Sequence, residues 1–135
     1  MKYGPDIELD LAEKIMASAK AEAAEQGWPV CIAIVDNHGV LVMLCRMPQT
    51  QLGSIEVAQQ KAATAARFRR PSFFFEDALS KGGGNMKWLQ LPGCLPIEGG
   101  LPIVQEGQVI GGIGVSGVLS TQDAEVAQAG LAVLA

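Results

Sequence analysis

Residues 30–45 read VCIAIVDNHGVLVMLC, and this stretch decides the fold. Its two apolar runs, 30–35 and 40–45, are rich in the β-branched residues that favour strands. The tetrapeptide DNHG at 36–39 separates them, and Asp, Asn and Gly tolerate the positive φ angles of a tight antiparallel turn. The stretch therefore predicts a β-hairpin with His38 in its turn.

A second hairpin and four helices are predicted in the rest of the chain. Residues 101–104 and 108–115 are typical of strands, and Glu106 and Gly107 form the turn between them. Segments with helical periodicity or helix caps lie at 6–26, 54–68, 72–81 and 120–134. Asp6 is the candidate N-cap of the first, and Ser120 with Asp123 matches a capping box at the start of the last. Strands joined by hairpins form an antiparallel sheet that amphipathic helices must cover, so the sequence predicts an α+β fold.

The long segment 82–100 holds six glycines and two prolines and predicts an ordered loop. Long loops inside compact domains are usually functional or part of an interface. The loop ends in Gly99-Gly100-Leu101-Pro102, for which the residues leave two interpretations open. One is a sharp turn ahead of an edge strand, and the other is a bare backbone surface against which a ligand lies.

Composition excludes several classes of function. The 135 residues suit one domain spanning 1–135, and 49% of them are hydrophobic, enough for a packed core. Ten basic against fourteen acidic residues give a net charge of −4, which argues against nucleic-acid binding. No apolar run reaches the roughly 18 residues of a membrane span, and the amino terminus lacks the apolar core of a signal peptide. We expect a cytoplasmic protein without a membrane partner.

The counts of cysteine and histidine limit the metal chemistry. The three cysteines, Cys31, Cys45 and Cys94, share no CxxC spacing, so neither a disulfide framework nor a zinc site is indicated. His38 is the single histidine. It is either a solvent-exposed turn residue or a metal ligand, for example an axial ligand of haem iron.

Glycines at 112, 114 and 117 match the dinucleotide fingerprint GxGxxG. A dinucleotide site also needs a helix that opens within the motif and a further parallel strand, and only eighteen residues remain after Gly117. We therefore expect no NAD site. The glycines are predicted to lie in a strand, where they allow another backbone or a flat ligand to approach closely.

Three polar side chains are candidate ligand contacts. Lys61 and Thr64 are three residues apart on an alanine-rich helix and share one face. The lysine is either solvated or, together with the threonine, an anion-binding hook in a cleft. Arg46 follows the second strand of the first hairpin, where a guanidinium can hold a carboxylate through two hydrogen bonds. Such a cluster suits the carboxylates or amides at the rim of a haem- or cobalamin-type macrocycle.

Two groups of motifs extend over nearly the whole chain from about Leu9. The first comprises IVDxxG at 34–39, RM at 46–47, Ser54 and AxxKAxTA at 58–65. The second comprises GGLPI at 99–103, VIGxIGVSG at 109–117 and QD at 122–123. Together they resemble the GlcG/HbpS-like family of haem-degrading domain proteins, which also forms the C-terminal domain of PduO-type corrinoid adenosyltransferases.

The resemblance implies a profilin-like, sensory-domain-like fold, in which helices flank a five-stranded antiparallel sheet. It also implies a homo-oligomer, since octamers are known in the family, and haem, a related tetrapyrrole or a corrinoid as the ligand. Other members accompany glycolate, glycerol or diol utilisation systems without an assigned reaction. By resemblance, the candidate pocket comprises Arg46, the helix face of Lys61 and Thr64, and the loop of Gly99, Gly100, Leu101 and Pro102. Ser116 is a further candidate ligand contact, and His38, from the residues alone, is the candidate metal ligand.

Three hypotheses of function follow. The first is a self-associating protein that binds a small ligand, haem-like or corrinoid. The second is an enzyme acting on haem or on a small metabolite, in which Lys61, Asp36 or a cysteine supplies the group with a shifted pKa. The third is a ligand-free assembly partner of a metabolic complex.

Overall fold

The computed structural model describes all residues from 1 to 135 and consists of one sheet with helices on both faces. The strands are β1 (Lys2–Tyr3), β2 (Cys31–Asp36), β3 (Leu41–Arg46), β4 (Gly100–Gln105) and β5 (Gln108–Ser116). The helices are α1 (Leu9–Gln26), α2 (Ser54–Phe68), α3 (Phe73–Ser80) and α4 (Ser120–Leu131), with 3₁₀ helices at Gly83–Gln90 and Ala132–Leu134. Helix α2 covers one face of the sheet, and α1 and α4 cover the other.

The two predicted hairpins, β2–β3 and β4–β5, form most of the sheet, and β2 pairs antiparallel with β5 between them. The predicted α+β fold and the five strands are confirmed. One strand departs from the expected antiparallel arrangement, because β1 runs parallel to β5 with Lys2 opposite Gln108. Since the pairing of β2 with β5 ends at Gly111, the first residues of the chain pair with the stretch of β5 that β2 leaves open.

The face of the sheet under α2 is built from very small residues. A Cβ atom on Gly114 would lie 2.1 Å from the carbonyl oxygen of Ala58, and one on Gly112 would lie 2.4 Å from that of Ala62. Neither distance is possible for a real side chain, so only glycine permits this approach. Gly112 and Gly114 of the GxGxxG motif therefore receive the backbone of α2, whereas Gly117 lies against the backbone of Pro29. A flat ligand has no room on the face under α2.

The opposite face holds the larger apolar core. Isoleucine and valine side chains of β2 and β5 pack there against α1 and α4, and examples without exposed surface are Ile15, Ile34, Ile113 and Val126. Helix α1 ends as predicted, because Gly27 adopts the left-handed conformation (φ 74°) and donates to the carbonyls of Ala23 and Ala24.

Two helix boundaries and one predicted loop differ from the prediction. Helix α1 begins at Leu9, because Asp6 does not cap it and instead accepts a hydrogen bond from the Asn37 backbone at 3.3 Å. The predicted loop 82–100 contains a 3₁₀ helix, whose Trp88 ring packs edge-on against Phe75 at 5.7 Å between centroids. Helix α4 ends at Leu131, and a 3₁₀ turn follows it.

None of the helices combines the length and the apolar character that a membrane span requires.

Candidate functional site

Lys61 forms a buried ion pair with Asp123. The pair lies next to the start of β4 and the end of β5. The side chain is 2% exposed, and its Nζ lies 3.0 Å from Oδ2 of Asp123 and 2.9 Å from the carbonyl oxygen of Val115. The other carboxylate oxygen of Asp123 accepts the Val118 N–H at 3.2 Å. Lys61 is therefore neither solvated nor free to hook an anion, because its charge is neutralised within the chain.

Burial sets the protonation behaviour of this pair. Removal from water raises the pKa of the Asp123 carboxyl above its usual range, and the Lys61 ammonium and the Val118 N–H partly offset that rise. Both side chains are almost fully buried, at 2% and 3% exposure. A buried pair of this kind strongly penalises the loss of either partner, which would leave an uncompensated charge in the interior.

A cleft of about 380 Å³ opens in front of this ion pair. It lies between the start of α3, the entry to β4 and one face of α4, and we call it the glycine cleft. Its lining includes Phe73, residues 98–101, Thr121, Glu125 and Gln128. Ligand pockets typically span roughly 300–1,000 Å³, so the cleft has the size for a small organic molecule.

Lys61 leaves no room for a side chain at Gly99 and Gly100, the two glycines of the cleft wall. Gly99 has a φ of +131°, and a Cβ there would lie 2.7 Å from the Lys61 Nζ. A Cβ on Gly100 would lie 2.2 Å from the Lys61 carbonyl oxygen. The bare backbone thus serves the packing of β4 over α2, and it also gives the cleft a wall without side chains.

Among the titratable groups that line the glycine cleft, Glu98 has a pKa that is shifted from its usual value. Burial raises the pKa of its carboxyl, the nearby Glu76 and Asp123 raise it further, and Lys61 opposes the rise. The Glu76 carboxylate also accepts the Glu98 N–H at 3.1 Å, which holds the two acidic residues together.

We expect the Glu98 carboxyl carbon to titrate in ¹³C NMR with a midpoint above the usual value of about 4.3. Because the folded pKa exceeds the unfolded one, the native state holds a proton that the unfolded chain has released. The free energy of unfolding should therefore fall as pH rises from about 4.3 through the raised pKa. Glu98→Gln should abolish that component, and a midpoint at or below the value in denaturant would contradict the prediction.

The remaining predicted ligand contacts do not meet at the glycine cleft. Thr64 is buried, donates to the Gln60 carbonyl at 2.7 Å and accepts the Leu95 N–H at 2.8 Å, so it anchors the long loop. Ser116 is buried and donates to Ser54. Arg46 is exposed at the end of edge strand β3 and lines no cleft. Only residues 99–101 line the glycine cleft, with Lys61 directly behind them, while Pro102 lies beyond it in β4 opposite Gly112.

A second open cleft, of about 470 Å³, lies at the turn of the first hairpin and is lined by Tyr3, Asn37, His38 and Arg67. We call it the turn site. The carboxylate of Asp36 fastens the turn, because its Oδ1 accepts the backbone N–H groups of His38 and Val40 at 2.8 and 3.0 Å.

Neighbouring groups orient the side chains of the turn site. The imidazole Nδ1 of His38 lies 3.4 Å from Oδ1 of Asp6 and 3.9 Å from Oδ1 of Asp36. The Arg67 Nε donates to the His38 carbonyl at 2.9 Å, and Gly39 leaves room for it, since a Cβ there would lie 2.4 Å from that Nε. The buried Oδ1 of Asn37 has no hydrogen-bond donor.

Two kinds of iron or metal binding are chemically available to His38. The Asp6 carboxylate next to Nδ1 favours a proton on that nitrogen and leaves Nε2 available to a metal, as carboxylates that contact metal-binding histidines do in many metalloproteins. Alternatively, one donor atom each from Asp6, Asp36 and His38 lie within 4.8 Å of one another, close enough to share a cation. The sequence points to His38 but gives no sign of the contribution of Asp6, because an aspartate at this position also fits a helix cap.

The antiparallel hairpins with helices on both faces place the molecule in the profilin-like class of α+β proteins. The chain belongs to the HbpS-like family, because the family model described as "Haem degrading protein HbpS-like" matches residues 7–132. It is 38% identical over 116 residues to Protein GlcG of Escherichia coli K12, and the match covers 86% of this chain and 85% of GlcG.

Solved structures of relatives share the fold closely. A variant of HbpS from Streptomyces reticuli superimposes with a TM-score of 0.89 at 29% identity, covering 100% of this chain and 91% of that one. A structure described as a PduOC–haem complex superimposes with a TM-score of 0.85 at 28% identity, covering 94% of each chain.

Proposed function

We propose that this protein binds haem at the turn site, with Nε2 of His38 as the iron ligand. The observation that carries the proposal is the 3.4 Å approach of Asp6 to Nδ1 of His38, which leaves Nε2 free to coordinate. The similarity to a protein crystallised with haem supports the choice of ligand. Bound haem would supply a redox-active iron, and its axial ligand and surroundings would tune that iron.

The residues around His38 suit the rest of a haem molecule. Arg67 lines the turn site, and the guanidinium of Arg69 lies 5.0 Å from the centre of the Tyr3 ring. Guanidinium groups pair well with carboxylates such as the haem propionates. The Tyr3 ring offers a flat surface next to them.

The glycine cleft fits haem less well. Its lining contains no histidine, methionine, cysteine or tyrosine that could ligate iron, and it contains no cationic side chain. Two carboxylates, Glu98 and Glu125, line it instead and would repel the propionates. We therefore place haem at the turn site and not beside residues 99–102, where the resemblance suggested it.

Titration of haem into the protein, followed by the Soret band, tests this proposal. We expect saturation at one haem per chain, and we expect His38→Ala to weaken binding at least about tenfold, the loss of roughly 1.4 kcal/mol. Arg46→Ala is the matched control and should bind haem normally, because Arg46 pairs with Cys31 at the open end of the first hairpin, away from its turn. Equal affinity of the wild type and His38→Ala would contradict the proposal.

The description of the family model favours a second candidate function, the breakdown of the bound haem. It would need a reductant and oxygen, and the bound iron would be the reacting centre. Ascorbate added in air to the haem-loaded protein, with catalase present to remove free peroxide, should then cause the Soret band to decay. A Soret band that stays constant under these conditions would leave haem binding as the function.

A corrinoid ligand, suggested by the PduO resemblance, is tested by titrating cobalamin into the protein in place of haem.

We also propose that the protein forms a homo-oligomer, with the octamer of the family as the expected form. Support comes from Phe74, Met86 and Leu89, which lie on α3 and the adjacent 3₁₀ helix and are 42–58% exposed. Clustered apolar surface of this kind is typical of protein contacts. Sedimentation should show a species larger than the monomer at micromolar concentration, and Leu89→Glu should dissociate it. A wild-type monomer would contradict the proposal.

From the resemblance to the GlcG/HbpS-like family, we also propose that this chain acts in the cytoplasm as an accessory protein of glycolate, glycerol or diol utilisation.

A further inference from the structure

We infer that the glycine cleft is a separate binding site for a small organic cation, an ammonium or guanidinium group carried on a short apolar or aromatic stem. The haem proposal does not use the glycine cleft. The charge, the shape and the chemistry of its lining all favour a cation.

The charge of the lining selects for a cation. Glu98 and Glu125 are the only ionisable residues of the lining, and both are acidic. The Lys61 ammonium lies behind the wall of Gly99 and Gly100, and Asp123 holds it at 3.0 Å. A cleft lined by one sign of charge concentrates ligands of the opposite sign and repels those of the same sign.

The shape of the cleft suits a flat apolar stem. The Phe73 ring, which is 44% exposed, and the side chains of Pro71 and Leu101 supply apolar contact. The wall opposite α4 is bare backbone at Gly99 and Gly100, so a planar group can lie against it. An aromatic face also attracts a cation, with an energy of about 0.5–2 kcal/mol.

Polar groups on α4 complete the site. Thr121, Glu125 and Gln128 are spaced four and three residues apart, so they lie on one face of the helix and line the cleft together. A hydroxyl, a carboxylate and an amide oxygen are all acceptors for the N–H groups of an ammonium or guanidinium. The cleft therefore offers hydrogen-bond acceptors on one side and apolar surface on the other.

The environment of Glu98 agrees with a cationic ligand. The charged groups that act on it are Glu76 and Asp123, which disfavour its ionised form, and Lys61, which favours it. A cation bound in the cleft would offset the repulsion among the carboxylates. Binding should therefore release a proton from Glu98 at a pH near its midpoint.

Three probes of similar size test the inference on the haem-free protein: benzylamine, which is a cation at pH 7, neutral benzyl alcohol and anionic benzoate. In ¹H–¹⁵N NMR titrations, we expect benzylamine to shift the amide signals of Gly99, Gly100 and Leu101. We expect benzyl alcohol to bind about tenfold more weakly, which corresponds to the loss of one charge-assisted contact, and benzoate not to bind.

Variants localise the effect. Glu125→Gln changes an exposed residue, so the fold should persist while benzylamine binds about tenfold more weakly. Glu13→Gln, on the exposed face of α1, is the matched control and should bind benzylamine like the wild type. His38→Ala should also bind it normally, which separates this test from that of haem binding. Equal binding of benzylamine and benzyl alcohol, an unaffected Glu125→Gln variant, or shifts confined to other residues would each overturn the inference.

Discussion

Replacing Lys61 with methionine is expected to lower the free energy of unfolding by about 3–5 kcal/mol, as measured by urea denaturation followed by circular dichroism. Methionine fills much of the same space but leaves the buried Asp123 carboxylate without its ammonium partner at 3.0 Å. It also leaves the Val115 carbonyl oxygen without the hydrogen bond from Nζ. The loss therefore arises from uncompensated polar groups and not from a cavity.

Two further variants separate this cause from a general effect of removing a lysine. Lys20→Met, on the exposed side of α1, should change stability by less than about 0.5 kcal/mol. The double variant Lys61→Met/Asp123→Asn should recover a large part of the loss, because the amide removes the buried charge and keeps an acceptor for Val118.

The pH dependence of Lys61→Met gives an independent check. Without the ammonium, the pKa of Asp123 should rise further, because burial is then opposed only by the Val118 N–H. The native state then takes up a proton at a pH where the unfolded chain stays ionised. The deficit relative to the wild type should consequently shrink as pH falls through that raised pKa. A loss below about 1 kcal/mol at pH 7 would show that the ion pair does not stabilise the fold as described.

Replacing Gly114 with alanine is expected to have an effect of similar size. The new Cβ would lie 2.1 Å from the Ala58 carbonyl oxygen and 2.5 Å from the Ala62 nitrogen, and both are backbone atoms of α2. The helix would have to move away from β5 along its length, at a cost at or above the usual 1–3 kcal/mol of overpacking. Thermal unfolding of this 135-residue chain should show a fall in Tm of roughly 3–4 °C per kcal/mol lost.

Gly84→Ala is the matched control for this prediction. Its Cβ would meet no atom within 4 Å, so its Tm should stay close to that of the wild type. Ala58→Gly added to Gly114→Ala should not restore stability, because the clash involves the backbone oxygen of residue 58 and not its side chain. An unchanged Tm for Gly114→Ala would contradict the close approach of α2 to the sheet.

Local chemistry explains which parts of the fold the sequence predicts. The turn residues at 36–39 and the Glu106-Gly107 turn specify both hairpins, because positive φ and strand alternation are properties of neighbouring residues. Strand β1 has only two residues and depends on where β2 stops pairing with β5, so no local pattern reveals it. The 3₁₀ helix in the long loop likewise depends on the contact of Trp88 with Phe75.

In the candidate sites too, the sequence predicts local features, while contacts between distant residues depend on the tertiary structure. The sequence singled out Lys61 and the glycines at 99 and 100, and the structure brings these together. It did not reveal Asp123 as the partner of Lys61, because the two are 62 residues apart and the aspartate also fits a helix-capping motif. Asp6 likewise fits a helix cap from the sequence, and only the tertiary structure places its carboxylate next to His38.

A crystal structure of the haem-loaded protein tests directly whether haem binds at the turn site. We expect electron density for haem at the hairpin turn, with its iron bonded to Nε2 of His38 and Asp6 still next to Nδ1. Haem density within the glycine cleft, or iron bonded to any other side chain, would contradict it.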